Sequence, residues 1–251
     1  MALYRGQRNE YGNEDGTVLL PSIYRWEAGR KPSKEEIQTR FNRLQQLCTT
    51  LYEEVEAVIS NKIISKSEVN HNQLSRRPVL LYSIMQHYEY CPTPYLDVTQ
   101  SLRIACMFAL DGAISTDRPC VYMLGFPYVY DKFFRDSTSE LPITRLLSAM
   151  PPIAKRAYYQ EGYLIGSELD LTKYTPKHDV TQRLMAKFEL VGNKADWIDE
   201  LSTYNRYDIY SEDFFSKIKE KVISKVNNHQ REKKDVSFSH PNRFPPLIRI
   251  K

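Results

Sequence analysis

The 251-residue chain has only 9 glycines, and none of them builds a phosphate-cradling loop or a Gly-x-Ser-x-Gly elbow. Nucleotide hydrolysis of the P-loop type and serine-hydrolase chemistry are therefore without support. The four cysteines, Cys48, Cys91, Cys106 and Cys120, have no paired spacing of the zinc or redox kind, and no metal is expected. Cys48 and Cys106 fall in apolar helical patterns and read as small buried hydrophobes. No apolar run reaches the roughly 20 residues needed to span a bilayer, and no signal peptide opens the chain, so a reduced cytoplasmic protein without membrane contact is expected. Basic residues are spread rather than blocked, and a net charge of +4 does not by itself point to nucleic acid. No internal repeat is present. No two carboxylates are marked by their neighbours as an acid–base couple.

What remains is globular in composition, with 41% hydrophobic and 26% charged residues and 18 tyrosines suited to the core boundary. A first strand begins almost at the first residue, and residues 8–16 read as a turn-rich loop. Ser33-Lys34-Glu35-Glu36 is a capping box that opens a helix over 34–60, with Ile37, Phe41, Leu44, Leu47, Leu51, Val55 and Val58 on one stripe and Glu54 off it. Residues 66–77 read as a polar loop. Pro78 starts a second helix through Tyr88, and Cys91-Pro92-Thr93-Pro94 breaks it. Tyr95–Thr99 reads as a strand, and Ser101 caps a helix over Leu102–Leu110. Strands follow at 120–126, 154–165 and 184–191, with 127–142 a loop carrying short helical pieces and helices at 196–201 and 212–226. Helices early and strands later predict an α+β fold with a mixed or antiparallel sheet, as one domain over 1–226. Residues 227–251 read as a charged linker and a weakly ordered tail.

The functional signal lies in polar residues set within apolar runs, where they must be hydrogen-bonded to be tolerated. Arg5, in Tyr4-Arg5-Gly6-Gln7, can grip a carboxylate or phosphate, with Gly6 allowing close approach; a buried Arg5–Asp97 pair that locks the fold is the other reading. Gln86-His87 serves either as ligand contacts or as a helix-end network. Asp97 suits pairing and Thr99 suits capping. Arg156, Gln160 and Gly162 share one face of the expected strand, with Glu161 on the other.

Taken in order, Tyr4-Arg5-Gly6-Gln7, Leu20-Pro21-Ser22-Ile23-Tyr24-Arg25, Gln86-His87-Tyr88, Thr93 through Thr99 with Ala105 and Phe108-Ala109, and Arg156 with Gln160-Glu161-Gly162-Tyr163 resemble the FRG domain. That family is mainly prokaryotic and phage-associated and is named for its Phe/Tyr-Arg-Gly opening; the resemblance covers roughly residues 3–226. The chain departs from the family pattern at Glu89, Pro94 and Val98, where glycine, arginine and tryptophan are common.

A weaker resemblance, to the Arg–Ser–Glu class of ADP-ribosyltransferases, implies NAD as a substrate. It implies Arg5, Gln7, Gln86, Thr93, Asp97, Thr99 and Arg156 on the cofactor side, and His87, Gln160 and Glu161 on the catalytic side. The class pattern wants Gln-x-Glu or Glu-x-Glu, whereas Gln160-Glu161-Gly162 puts Glu161 out of phase. The implied function is an ADP-ribosyltransferase-like enzyme that modifies an unknown macromolecular acceptor or cleaves NAD, in phage–host conflict. The alternative is a non-catalytic module that binds nucleic acid or protein, or a structural domain of a larger protein or complex.

Overall fold

The computed structural model describes residues 1–10, 12–13, 16–17, 19–25, 30–136, 141–166, 180–192 and 210–236. In chain order its elements are β1 (Ala2–Gln7), β2 (Gly12–Asn13), β3 (Gly16–Thr17), a 3-10 turn at Ser22–Tyr24, α1 (Lys34–Ser60), α2 (His71–Arg76), α3 (Pro78–His87), β4 (Tyr95–Thr99) and α4 (Leu102–Leu110). They continue with β5 (Cys120–Gly125), β6 (Phe133–Arg135), β7 (Pro142–Arg145), α5 (Leu146–Ala149), α6 (Lys155–Tyr159), β8 (Gly162–Gly166), a 3-10 turn at Val180–Arg183, β9 (Leu184–Glu189) and α7 (Phe214–Val236). Seven strands form one antiparallel sheet in the order β6-β7-β8-β4-β1-β5-β9, and β2 pairs with β3 as a separate hairpin. The fold is α+β.

Helix α1 starts at the expected capping box: the Glu36 amide donates to Ser33 Oγ at 3.2 Å and the Ser33 amide donates to Glu36 Oε2 at 2.7 Å. Its stripe of Ile37, Phe41, Leu44, Leu47, Leu51 and Val55 is buried against α3, α7 and Tyr95 and Leu164 of the sheet. Glu54 belongs to this buried face as well, because Lys221 and Lys225 of α7 reach its carboxylate. The opposite sheet face packs Leu3, Leu96, Val98, Tyr122, Leu124, Ile143, Tyr163 and Ile165 into a second core. Cys48 and Cys106 are buried, and burial raises both thiols above their ordinary pKa.

Helix α4 lies on β1 because both surfaces are nearly bare. A Cβ at Gly6 would stand 1.8 Å from the Ala105 carbonyl oxygen and 2.8 Å from the Ala109 amide nitrogen. Gly6 therefore makes room for a helix, where the sequence suggested room for a ligand.

Five segments differ from expectation; the first is the turn-rich stretch 8–16, which carries β2 and the start of β3. The polar stretch 66–77 contains α2, in which only Leu74 is buried. The expected loop 127–142 holds β6. The expected strand over 154–165 is the short helix α6 followed by β8, which begins at Gly162. The charged stretch expected as a linker from 227 continues α7 as far as Val236. The helix expected at 196–201 and the tail 237–251 lie outside the described residues. Among the described residues no helix is long and apolar enough to cross a membrane.

Candidate functional site

The sheet has a seam. β1 pairs with β5 from Ala2 to Gln7, but with β4 only at Tyr4–Thr99. By strand alternation Arg5 shares the face of Leu3 and Gln7, whereas Asp97 and Thr99 share the helix-covered face. They meet because the β1–β4 ladder stops, and Arg5 Nη1 donates to the Asp97 carbonyl at 2.6 Å. The sequence suggested a charge pair; what forms is a guanidinium on a backbone acceptor left open by the seam.

A cleft of about 330 Å³ opens there, within the range of about 300–1,000 Å³ common for ligand sites. Its lining takes Tyr4, Arg5, Gly6, Gln7 and Arg8 from β1 and just beyond it, Arg25, and Gln86, His87 and Glu89 from the end of α3. Asp97, Val98 and Thr99 come from β4, Phe108 and Asp111 from α4 and its end, and Gln160, Gly162 and Tyr210 close the remaining side.

Beneath the cleft runs a continuous polar chain. The Thr93 amide donates to Ser22 Oγ at 2.9 Å, and the Thr93 hydroxyl donates to Gln86 Oε1. Gln86 Nε2 donates to Asp97 Oδ2 at 2.8 Å. Asp97 Oδ1 faces His87 Nε2 at 3.5 Å, and His87 Nδ1 donates to Gln160 Oε1 at 2.6 Å. Asp97 Oδ1 and His87 Nε2 are both buried with no hydrogen-bond partner among the described residues. A buried polar atom left so costs about 1–3 kcal/mol, which makes this the least satisfied point of an otherwise satisfied network.

Guanidiniums and carboxylates share the cleft: Arg5, Arg8 and Arg25 with Glu89, Asp97 and Asp111. Burial, reinforced by the Arg25 guanidinium, lowers the Arg5 pKa to about 10, against partial support from Asp97 and Tyr122. Arg5 Nε has no hydrogen-bond partner, and no ion pair joins Arg5 to a carboxylate among the described residues. Arg8 and Arg25 line the same cleft. The aromatic side is built by Tyr4, Phe108 and Tyr210; Phe108 and Tyr210 meet edge to face at 6.2 Å, and the Tyr210 hydroxyl donates to Asp111 Oδ2 at 3.0 Å.

Of the residues singled out from sequence, Arg5, Gln7, Gln86, His87, Asp97, Thr99 and Gln160 line the cleft. Thr93 lies one hydrogen bond behind it. The Thr99 hydroxyl is occupied locally, accepting from the Ser101 amide at 3.1 Å and donating to the Glu161 carbonyl at 3.3 Å, whereas the cap of α4 is Ser101, whose Oγ accepts from the Ile104 amide at 3.4 Å.

Two of those residues stand elsewhere. Arg156 spends its guanidinium on the carbonyls of His87, Tyr210 and Ser211 and stacks 4.7 Å over the Tyr88 ring, so it clamps the end of α3 to the start of the α7 segment. Glu161 is a turn residue with φ of 46°, between α6 and β8, and its Oε2 accepts from Gln100 at 3.1 Å outside the cleft. A left-handed residue at the strand entrance, in place of the expected strand position, turns that carboxylate away. Tyr4, Arg25, Val98, Phe108 and Gly162 lie inside the quoted motifs without having been singled out as site residues, and Glu89 directly follows one, noted only as a departure from the family pattern. Arg8 sits one place beyond the first motif, where extending it would have found it. Asp111 and Tyr210 carry no local signal.

Among the described residues no group of three or more His, Cys, Asp or Glu side chains could hold a metal ion. No curated protein and no solved structure matches the chain. The family model of the FRG domain matches residues 1–118, the span that supplies β1, α3, β4 and α4 and so most of the cleft wall. The chain therefore carries an FRG domain, and its cleft is built chiefly from that domain's residues.

Proposed function

We propose that the cleft binds an NAD-class dinucleotide and uses it for ADP-ribosyl transfer to a macromolecule or for cleavage at the nicotinamide bond. The observation that carries this reading is the buried Arg5 guanidinium, which forms no ion pair with a carboxylate among the described residues and feels the Arg25 charge, with Arg8 elsewhere in the cleft lining. A diphosphate is a chemical match for the buried Arg5 guanidinium, whose fork can hold it at two points. Tyr4, Phe108 and Tyr210 give the cleft an aromatic wall against which a base can pack. Departure of nicotinamide leaves positive charge on the ribose, and a carboxylate held in a dry cleft stabilises it. The carboxylates that line the cleft are Glu89, Asp97 and Asp111, so in this reading one of them takes the role that resemblance gives to Glu161.

A second reading, a non-catalytic module for single-stranded nucleic acid, is favoured by the same guanidiniums and aromatic wall. In either case phage–host conflict is the proposed setting. Incubation with NAD and chromatographic detection of free nicotinamide tests the enzyme reading, beside filter binding of single-stranded RNA and DNA at two salt concentrations. Nicotinamide release with weak oligonucleotide binding is the expected result. No release together with strongly salt-dependent oligonucleotide binding would transfer the site to the second reading.

A further inference from the structure

The geometry points to Asp97 as the catalytic acid–base of the cleft, holding one proton in common with His87, which acts as its positioning residue. The substrate in this inference rests on the NAD reading; the shared proton does not. An amide oxygen has only lone pairs to offer, so the 2.6 Å contact to Gln160 Oε1 requires a hydrogen on His87 Nδ1. In a neutral ring Nε2 is then an acceptor, and it faces another acceptor, Asp97 Oδ1, at 3.5 Å.

The second carboxylate oxygen cannot relieve this, because it is already engaged. Thr93 Oγ1 accepts from the Tyr95 amide at 3.4 Å and gives its hydrogen to Gln86 Oε1, which turns the Gln86 amine toward Asp97 Oδ2. Two buried acceptors without partners are satisfied together by one proton between them. With that proton carried on Nε2 the ring donates from both nitrogens, Nδ1 to Gln160 Oε1 and Nε2 to Asp97 Oδ1.

Exposure assigns the roles. The Asp97 side chain is 29% accessible and reaches the cleft, whereas that of His87 is 1% accessible behind it. Charge faces the pair from several elements: Arg5 from β1, Arg156 from α6 on the His87 carbonyl, and Arg8, Arg25, Glu89 and Asp111 around the cleft. In the transfer step the acceptor oxygen bonds to the ribose carbon, and the bond to nicotinamide breaks with its electron pair staying on the departing neutral ring. The acceptor's proton passes to Asp97 Oδ2, since Oδ1 is buried against His87.

The test is nitrogen-15 NMR of the histidine rings in the wild type and in Asp97→Asn, with circular dichroism to verify folding. Two ring N–H protons on His87 at neutral pH, with the Nε2 proton lost in Asp97→Asn, are expected. A wild-type His87 with only its Nδ1 proton overturns the shared proton whether or not the variant folds. Nicotinamide release supplies the second arm: Asp97→Asn lowers kcat by about 100-fold or more while NAD affinity changes little. His87→Gln lowers kcat with KM held and alters the pH profile, which a merely structural role does not do. Release at wild-type rate in Asp97→Asn overturns the catalytic role. A wild type with the shared proton but no nicotinamide release refutes the NAD reading and the transfer step while retaining the pair.

Discussion

Gly6→Ala is a one-carbon change with a large expected effect. The added methyl carbon would sit 1.8 Å from the Ala105 carbonyl oxygen, with the Ala105 carbonyl carbon and the Ala109 amide nitrogen each at 2.8 Å. Non-bonded heavy atoms settle at about 3.5 Å, so α4 must withdraw from β1 by roughly 1.5 Å. These are backbone atoms of a capped helix, so no side-chain rotation relieves the contact. Withdrawal also opens the small core of Ala105, Cys106, Ala109 and Val121, and it moves Phe108 at the cleft wall. Overpacking of this kind costs about 1–3 kcal/mol, and backbone contact places Gly6→Ala at the upper end. For a chain of this length about 3 kcal/mol lowers Tm by roughly 6–12 °C. Thermal unfolding followed by circular dichroism measures it. A Tm within about 1 °C of the wild type would refute the claim that Gly6 serves helix packing.

Two further predictions concern carboxylates. Burial alone would raise the Glu54 pKa, but hydrogen bonds from Lys221 and Lys225 hold it below its ordinary value. Its contribution to stability is therefore full above the unfolded carboxylate value and is lost as pH falls through the lower folded value. Glu54→Gln should cost about 1–2 kcal/mol at neutral pH, less than a fully buried pair because the lysines are 60% and 53% accessible, and it should flatten the acid limb of urea stability curves. An unchanged acid limb would show that the α1–α7 bridge contributes nothing. Glu161→Gln should leave NAD affinity and nicotinamide release within about twofold, far below the effect of losing a group that touches the reacting atoms. A loss of 100-fold or more would return the catalytic role to that residue.

The parts of this molecule that could be read from its sequence are those with a local cause. Helix α1 is announced by its capping box and an apolar stripe from Ile37 to Val58, buried as far as Val55, and α3 by Pro78 at its first turn. Helix α6 escapes a periodicity reading because it is a single turn: its buried residues Ala154 and Ala157 are three apart, a helical spacing that two residues alone cannot make stand out. That error carried Glu161 with it, since phase along a strand means nothing at a turn residue with φ of 46°. In the same way Glu54 looked like a surface charge because its partners lie on α7, far along the chain.

Most of the candidate site was legible as a set of misplaced polar residues, and its assembly was not. The seam between β1 and β4 depends on a ladder one pair long, a non-local fact with no trace in either strand. Only that seam explains why Arg5 meets the Asp97 carbonyl and why Gln86, His87 and Gln160 converge on the Asp97 side chain.

The central claim is that Arg5 is the anion-binding floor of a dinucleotide site, and calorimetric titration with NAD, of the wild type beside Arg5→Met, tests it most directly. Saturable NAD binding, lost in a variant that circular dichroism shows to be folded, is the predicted result. No heat at millimolar NAD in the wild type, or equal affinity in folded Arg5→Met, would contradict it.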